Sequence, residues 1–398
     1  MVSRVAPVPD PKRPAIFTGG PTASALLGSE GEWDFHYTDN AEYLHALHPW
    51  PAKFIPQIPR KAIEDYTSRG GVVLDPFMGC GTTLLEASLL GRPSIGVDNN
   101  AVAVLVTRAK TASYSEEDMR SLQAFARGLD NRVASLPLRP DLIPTNENFG
   151  YWFPKPVIAR LAALKGLVLD EDEPLRTLLL AALSSIVVRV SYQDSDTRYK
   201  RVDRAISPEE VDRAFRKRVA YLIGQVPSVI GRESAPVQIY EGDARKLDPI
   251  GSNSIDLIVT SPPYLNAYDY HKYHRQRLHL INGDFKFARD VEIGKHDDFT
   301  RPGATPEQYF SDMDACFAEW ARVLRPDGKC VLLIGDAIVS KKPVPVADRF
   351  VSLLEARNLH VEKRWVRELQ ATKRSFNVKN SRMSHEHVLL LEKRKARV

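Results

Sequence analysis

Residues 71–100, GVVLDPFMGCGTTLLEASLLGRPSIGVDNN, constrain the fold more than any other stretch of the chain. Val72–Leu74 is a short β-branched run. Gly79 and Gly81 mark a tight turn, because glycine alone enters left-handed backbone without a Cβ penalty. From Thr82 to Leu90 the apolar residues recur at helical spacing and stop at Gly91, and Ser94–Val97 is a second strand that ends in acidic Asp98. Strand, glycine turn, helix and strand in that order open a parallel α/β sheet. The pattern returns later: Val237–Tyr240 runs into Glu241-Gly242-Asp243-Ala244, and Asp256–Thr260 runs into Ser261-Pro262-Pro263-Tyr264. Pro306–Leu324 is an amphipathic helix ended by Arg325-Pro326-Asp327-Gly328. Lys329–Ile334, Val361–Glu368 and His387–Glu392 bring the strands to seven, the last two an antiparallel pair at the sheet edge.

The alternation lapses in the middle of the chain. Val157–Val168, Pro174–Val190 and Pro208–Ile223 are helical stretches, so residues 111–235 are expected to form a mainly helical insertion that splits one α/β domain into 31–110 and 236–398. Residues 1–30 carry five prolines with little apolar periodicity and read as a flexible arm. Residues 265–305 read as a polar loop of about forty residues. A length of 398 residues supplies a core without metal or disulfide staples. The three cysteines, Cys80, Cys316 and Cys330, are too few and too far apart for a disulfide framework or a zinc knuckle, and they suit a reducing, cytoplasmic setting. The N-terminus lacks a signal-peptide apolar region, and the longest apolar run, near Leu175–Val190, is interrupted by Ser184, Ser185 and Arg189, so no membrane partner is expected.

The glycine turn narrows the ligand. Gly79 and Gly81 let a ligand lie against the main chain where a helix begins. Asp98, 23 positions after Asp75, ends the next strand, where a carboxylate can accept from both hydroxyls of a ribose. A dinucleotide fingerprint would need a third glycine where Leu84 stands, and no phosphate-binding GxxxxGK occurs. Asp75 at the turn suits a cationic cofactor better than a diphosphate, and a sulfonium with an amino-acid tail fits.

DPFMGCGTT resembles the cofactor loop of class I S-adenosylmethionine (SAM)-dependent methyltransferases, and TSPPY resembles the catalytic motif of the nucleic-acid amino-methyltransferases, whose serine form is most similar to the N4-cytosine DNA enzymes. HPWPAKFIPQIPR, residues 48–60, is similar to the segment that precedes the loop and covers the methionine end of SAM. GDARKL is similar to the motif whose aspartate, here Asp243, lies near the adenine amine. The resemblance covers roughly residues 45–110 and 236–394. It implies an α/β class I (Rossmann-like) fold with a seven-stranded mixed sheet and SAM as cofactor, S-adenosylhomocysteine being the product. The cofactor residues it implies are His48, Lys53, Phe54, Asp75, Pro76, Phe77, Gly79, Gly81, Thr82, Thr83, Asp98, Asn99, Asp243 and Ala244. It also implies double-stranded DNA as substrate, with a restriction endonuclease acting on the same site as a candidate partner. N6 of adenine, or guanine N2 in RNA, remain alternative targets. One departure is plain: the insertion precedes the Asp243 motif, which leaves open whether it reads the target.

Ser261, Pro262, Pro263 and Tyr264 are the expected catalytic residues. An exocyclic amine conjugated with its ring is flat and weakly nucleophilic, and two acceptors on its hydrogens pull it toward tetrahedral geometry. Proline fixes the backbone and carries no N–H, so the Pro262 carbonyl can serve as one acceptor and the Ser261 hydroxyl as the other. Tyr264 can stack on the base. No cysteine stands beside a proline, so the covalent route of ring-carbon methylation is excluded, and the histidines after Tyr264 show no metal-ligand spacing. A net charge of +5 says little, but its distribution is uneven: Lys363–Arg382 carries seven Lys/Arg against Glu368 alone, and Arg198–Arg218 eight against four acids. The expected DNA contacts are Arg198, Lys200 and Arg201 in the mainly helical insertion, Tyr268, Tyr270, His271 and Lys272 in the loop after Tyr264, and Lys373, Arg374, Lys379 and Arg382 near the C-terminus.

Overall fold

A computed structural model describes residues 28–29, 31–35, 42–144, 149–232, 234–300, 303–369 and 385–395. Lys373, Arg374, Lys379 and Arg382, and most of the N-terminal arm, lie outside the described residues. The main sheet uses β1 (Val73–Asp75), β2 (Ser94–Asp98), β5 (Val237–Glu241), β6 (Ile255–Thr260), β7 (Leu324–Ile334), β10 (Leu359–Glu368) and β11 (His385–Lys393), ordered β10-β11-β7-β6-β1-β2-β5, while β3 (Gln193–Ser195) with β4 (Arg198–Arg201) and β8 (Ala337–Val339) with β9 (Lys342–Val344) form two separate hairpins. The chain moves outward from β1 through β2 to β5, then reverses to place β6 on the other side of β1. All of these pairings are parallel, as is β6 with β7, whereas β11 runs antiparallel to both β7 and β10. This is the seven-stranded mixed sheet expected of a class I methyltransferase, with the antiparallel pair at one edge. Its topological switch point lies between β1 and β6, where open α/β sheets bind ligands.

Period-2 burial sorts the strand residues onto two apolar faces. Leu74 and Ile258 face the helices Glu307–Val323 and Val346–Ala356, while Val73, Leu257 and Val259 face the helix Gln57–Tyr66, Trp33 and Trp365. Each such buried aliphatic side chain is worth roughly 1.5–3 kcal/mol of transfer free energy. A third core belongs to the helices Glu116–Ala134, Lys155–Leu169, Leu175–Ile186 and Pro208–Gln225, and it also takes in Leu44, Leu47, Ala109 and Leu280 from the flanking segments. The helix Ala101–Thr111 packs along Leu175–Ile186, so this core is continuous with the element that follows β2. Among the described residues no helix is long and apolar enough to cross a membrane.

Three local expectations change. Arg198, Lys200 and Arg201 do not sit on a helix: they form β4 (Arg198–Arg201), which pairs antiparallel with β3 (Gln193–Ser195). Alternating β-branched and aromatic residues are scarce there, and tertiary contacts hold the hairpin instead. Residues 265–305 are not an open loop but include the helices Tyr270–Tyr273, Arg275–Ile281 and Phe285–Val291, packed against one another and the insertion. The break at Arg325–Gly328 falls within β7, absorbed as a register shift against β6 with Asp327 in left-handed backbone at φ 64°.

Candidate functional site

The carboxyl ends of β1, β2, β5 and β6 converge on one cleft. Its walls enclose about 910 Å³, part of it open to solvent. Lys53, Phe54, Asp75, Pro76, Phe77, Gly79, Thr82, Asp98, Asn99, Asp243, Ala244, Ser261 and Pro263 all line it. The residues after β1, β2, β5 and β6 are thus brought together because each group follows a strand of the same parallel sheet, and Lys53 and Phe54, which precede the helix Gln57–Tyr66, close the cleft from outside it.

The glycine loop is shaped by what crowds it. Gly79 has φ 47°, and a Cβ there would approach Trp50 Nε1 to 3.1 Å. Gly81 has φ 73°, and its Cβ would lie 2.6 Å from Thr107 Oγ1. The Thr107 hydroxyl donates to the Gly79 carbonyl (3.3 Å), tying the loop to the helix Ala101–Thr111. The Asp98 carboxylate accepts the Gly79 N–H on one oxygen and the Asn100 N–H on the other, both at 2.9 Å. Each oxygen keeps acceptor capacity toward the cleft. Burial pushes Asp98 up to about 7, against the pull of those two N–H groups. Asp75 is buried too, accepts from the Thr260 hydroxyl (2.7 Å) and the Phe77 N–H (3.1 Å), and is pushed up to about 6 by the same desolvation. Two desolvated carboxylates beside a glycine loop fit a cationic cofactor that carries a ribose. Asp98 would hold the ribose hydroxyls of SAM, the loop backbone its amino-acid portion and Asp75 the cationic side, while the cofactor itself supplies an electrophilic methyl group.

Other expected residues serve at one remove. His48 is buried with Nδ1 2.7 Å from the Pro49 carbonyl and Nε2 3.3 Å from Ser184 Oγ, away from the cleft walls, and burial drives its protonation well below the usual histidine range. It is a packing residue rather than a cofactor contact. Gly81 and Thr83 lie behind the loop, and Thr83 supports the Asp75 carboxylate. Asp243 reaches the cleft, but its carboxylate is clasped by Arg245 (2.9–3.1 Å), which also bonds Asp312 at 2.7 Å. Arg245 is raised by those two carboxylates in spite of its own desolvation.

The catalytic motif turns sharply after β6. Ser261 and Pro263 line the cleft. The Pro263 carbonyl accepts from the Tyr309 hydroxyl (2.9 Å), whereas among the described residues no donor reaches the Pro262 carbonyl. Tyr264 does not wall the cleft: its hydroxyl donates to Glu386 (2.8 Å), which pairs with buried Arg367 (2.5 Å), and Ser261 is the other polar neighbour of that hydroxyl. Burial and Glu386 together hold the phenol well above its ordinary range.

The segment after Tyr264 supplies residues that sequence reasoning assigned elsewhere or missed. Tyr270 lines the cofactor cleft rather than an outer surface, beside Tyr268 at 5.4 Å between rings. His271 is buried, with its ring 2.7 Å from Glu292 and its N–H on the same carboxylate, so it is not presented to a phosphate. Lys272 is paired with Asp269 and Asp297. Trp50 stacks on His274 (4.2 Å, 25°) and closes the cleft above Gly79. Fully buried Arg277 bonds the Ser184 carbonyl (3.2 Å) and Asp196 at the β3–β4 turn. The tryptophan within HPWPAKF was legible as a motif position. Arg277 carried no local signal, because its partners lie 81 and 93 positions away.

Comparison with known proteins follows the same lines. The family model described as DNA methylase (N6_N4_Mtase) matches residues 28–108. The Type II methyltransferase M.MvaI of Kocuria varians is 22% identical over 382 residues, covering 82% of this chain and 84% of its own length. The Type II methyltransferase M.BsoBI of Geobacillus stearothermophilus is 24% identical over 297 residues, 62% of this chain and 55% of that protein. A SAM-dependent methyltransferase structure from Methanosarcina mazei is 10% identical, covering 84% of this chain and 97% of that one with a TM-score of 0.35. The strand order, rather than that likeness, carries the fold assignment.

Proposed function

We propose that this chain, a SAM-dependent DNA amino-methyltransferase of the N4/N6 family, methylates the N4 amine of cytosine. The observation that carries the reading is Ser261 at the end of β6, on the wall of the cofactor cleft, where the motif offers a hydroxyl in place of a carboxylate or carboxamide. The target base is taken from the duplex, at a cost of a few kcal/mol. Its amine hydrogens meet the Ser261 hydroxyl oxygen and the Pro262 carbonyl, which rehybridises the nitrogen and aims its lone pair at the methyl group. The Tyr309 bond to the Pro263 carbonyl fixes the turn, so Pro262 keeps its orientation without reorganisation. Transfer is direct and gains mainly from proximity and alignment. Tyr264 flanks the base, its ring angle set by Glu386. The amine proton leaves to solvent after transfer, since no group in the turn is a strong base. Because the relatives are Type II methyltransferases, an endonuclease of the same specificity is part of this proposal.

Incubation with methyl-labelled SAM and duplex DNA, then digestion to nucleosides, tests it. Label in N4-methylcytosine is expected. Label in N6-methyladenine would overturn the cytosine assignment, and label entering tRNA in preference to DNA would overturn the substrate. Tyr264→Ala should lower turnover roughly tenfold or more, in line with about 1–3 kcal/mol for a base–aromatic stack, with SAM affinity unchanged.

A further inference from the structure

A second concavity lies in the helical insertion. Its lining includes Arg189, Arg204, Glu210, Arg213 and Lys217, and its space of about 870 Å³ is partly open to solvent. Arg204 is committed to structure: it donates to the Ser191 carbonyl (2.8 Å) and to the Val188 and Gln193 carbonyls. Glu210 is committed too, closing the capping box of the helix Pro208–Gln225 through the Ser207 N–H (3.1 Å). Arg189, Arg213 and Lys217 are exposed, and among the described residues none of the three forms an ion pair. Arg198, also exposed, is paired with Asp194, while Arg120, Arg127, Lys155 and Lys200 are exposed without an ion pair among the described residues but lie outside this concavity.

The location follows from helix direction. Ala101–Thr111 leaves the carboxyl end of β2 beside the cofactor cleft and runs away from it. Leu175–Ile186 packs along it and begins at its far end, where Glu173, Pro174 and Thr177 share a depression with Arg108 and Thr111. The second helix therefore runs back toward the cleft, and Ser184 near its end meets His48 and Arg277, which support Trp50 and His274 above the glycine loop. Arg189, five positions after Ser184, emerges on that side, and so does the first half of Pro208–Gln225, whose Arg218 bonds the Ala46 carbonyl just before the His48 segment. We propose that Arg189, Arg213 and Lys217 form a phosphate-gripping groove for the duplex flanking the flipped nucleotide. This rests on the reading of the substrate as duplex DNA. The groove reads no sequence: three unpaired cations on a concave wall match a row of phosphates, and phosphate contacts set position rather than specificity.

The test is the salt dependence of duplex binding by the full chain, with Arg189→Gln, Arg213→Gln and Lys217→Gln combined and binding followed by fluorescence anisotropy. A released counterion contributes about 0.9 to the slope of log affinity against log salt per phosphate contact. The triple variant should therefore flatten the slope by about 2–3, equally for cognate and unrelated duplexes, with SAM affinity and thermal midpoint unchanged. An unchanged slope would overturn the groove while leaving the substrate reading intact. A parent chain that bound no duplex would overturn both.

Discussion

The cofactor cleft and the helical insertion are held together in different ways. In the cleft, positions are set by backbone: four parallel strands end at one level, and the groups after them fall into one cavity. Some of its polar bonds are short in sequence, such as Phe77 to Asp75 or Asn100 to Asp98, each two residues apart, and the long ones, such as Thr260 to Asp75, join the ends of two strands of the sheet. The insertion and the 265–299 segment instead depend on side chains distant in sequence. Arg277 joins Asp196 and Ser184, Arg218 joins Ser185 to Ala46, and Lys165 reaches Asn282. Chemistry located by strand ends tolerates change elsewhere in the chain, whereas a surface located by long-range side-chain contacts depends on each of them.

That contrast can be broken experimentally. The largest effect is expected from Leu179→Ala, at a fully buried position of the helical core. It should lower stability by about 2–5 kcal/mol, read by denaturant unfolding, while SAM affinity measured well below the transition stays as in the parent. A parallel loss of SAM affinity would mean that the two regions are one mechanical unit. Asp98→Ala should do the opposite. Removing a charge-assisted acceptor from the cofactor costs about 1.5–3 kcal/mol, roughly 10- to 100-fold in the calorimetric Kd, while stability changes less than for Leu179→Ala, because relief of a desolvated carboxylate offsets loss of the bonds from the Gly79 and Asn100 N–H groups.

Protonation sharpens the same point. With Asp98 near 7 and Asp75 near 6 in the free protein, a bound cation and ribose hydroxyls favour the ionised forms and lower both values. SAM affinity should then be full above about pH 7 and fall as pH drops through 7 and 6, by up to about tenfold per unit for each proton linked. Binding at pH 7 should release protons, seen as a calorimetric enthalpy that varies with buffer. A pH-independent Kd between 5.5 and 8 would remove the two carboxylates from the cationic side of the site. The smallest effect is expected from Trp50→Ala, which opens the cleft above Gly79. A loss of about 1 kcal/mol in SAM binding, with duplex affinity nearly unchanged, would confirm that the His274–Trp50 stack belongs to the cleft and not to the DNA face.

Much of the cleft was legible because its signals are local. Asp75, Gly79 and Asp98 belong to one strand-turn-helix-strand unit, and glycine and proline announce backbone that other residues cannot adopt. His48 was misplaced because a motif gives proximity to the loop but not the direction of a ring, and packing against Ser184 turned it inward. His271 and Tyr270 looked like surface groups in a polar stretch, and burial was decided by Glu292, more than twenty positions later. The β3–β4 hairpin was invisible because short polar strands have no periodicity of their own and form only where Arg277 and Arg204 anchor them.

By itself the sequence determined the sheet, the switch-point cleft, a cofactor site lined by carboxylates and the proline turn on its wall, since each depends on residues within a few positions of a strand end. Tertiary structure alone decided which carbonyl of the Pro262–Pro263 pair is engaged, how Tyr264 is pinned, and where the net charge of +5 becomes usable. The reason is that a charge acts only through its surroundings. Arg198, Arg201 and Lys272 are spent on carboxylates, while Arg213 and Lys217 of the basic Arg198–Arg218 stretch, joined by Arg189 from before it, are left facing solvent together beside the end of a helix that returns to the cleft.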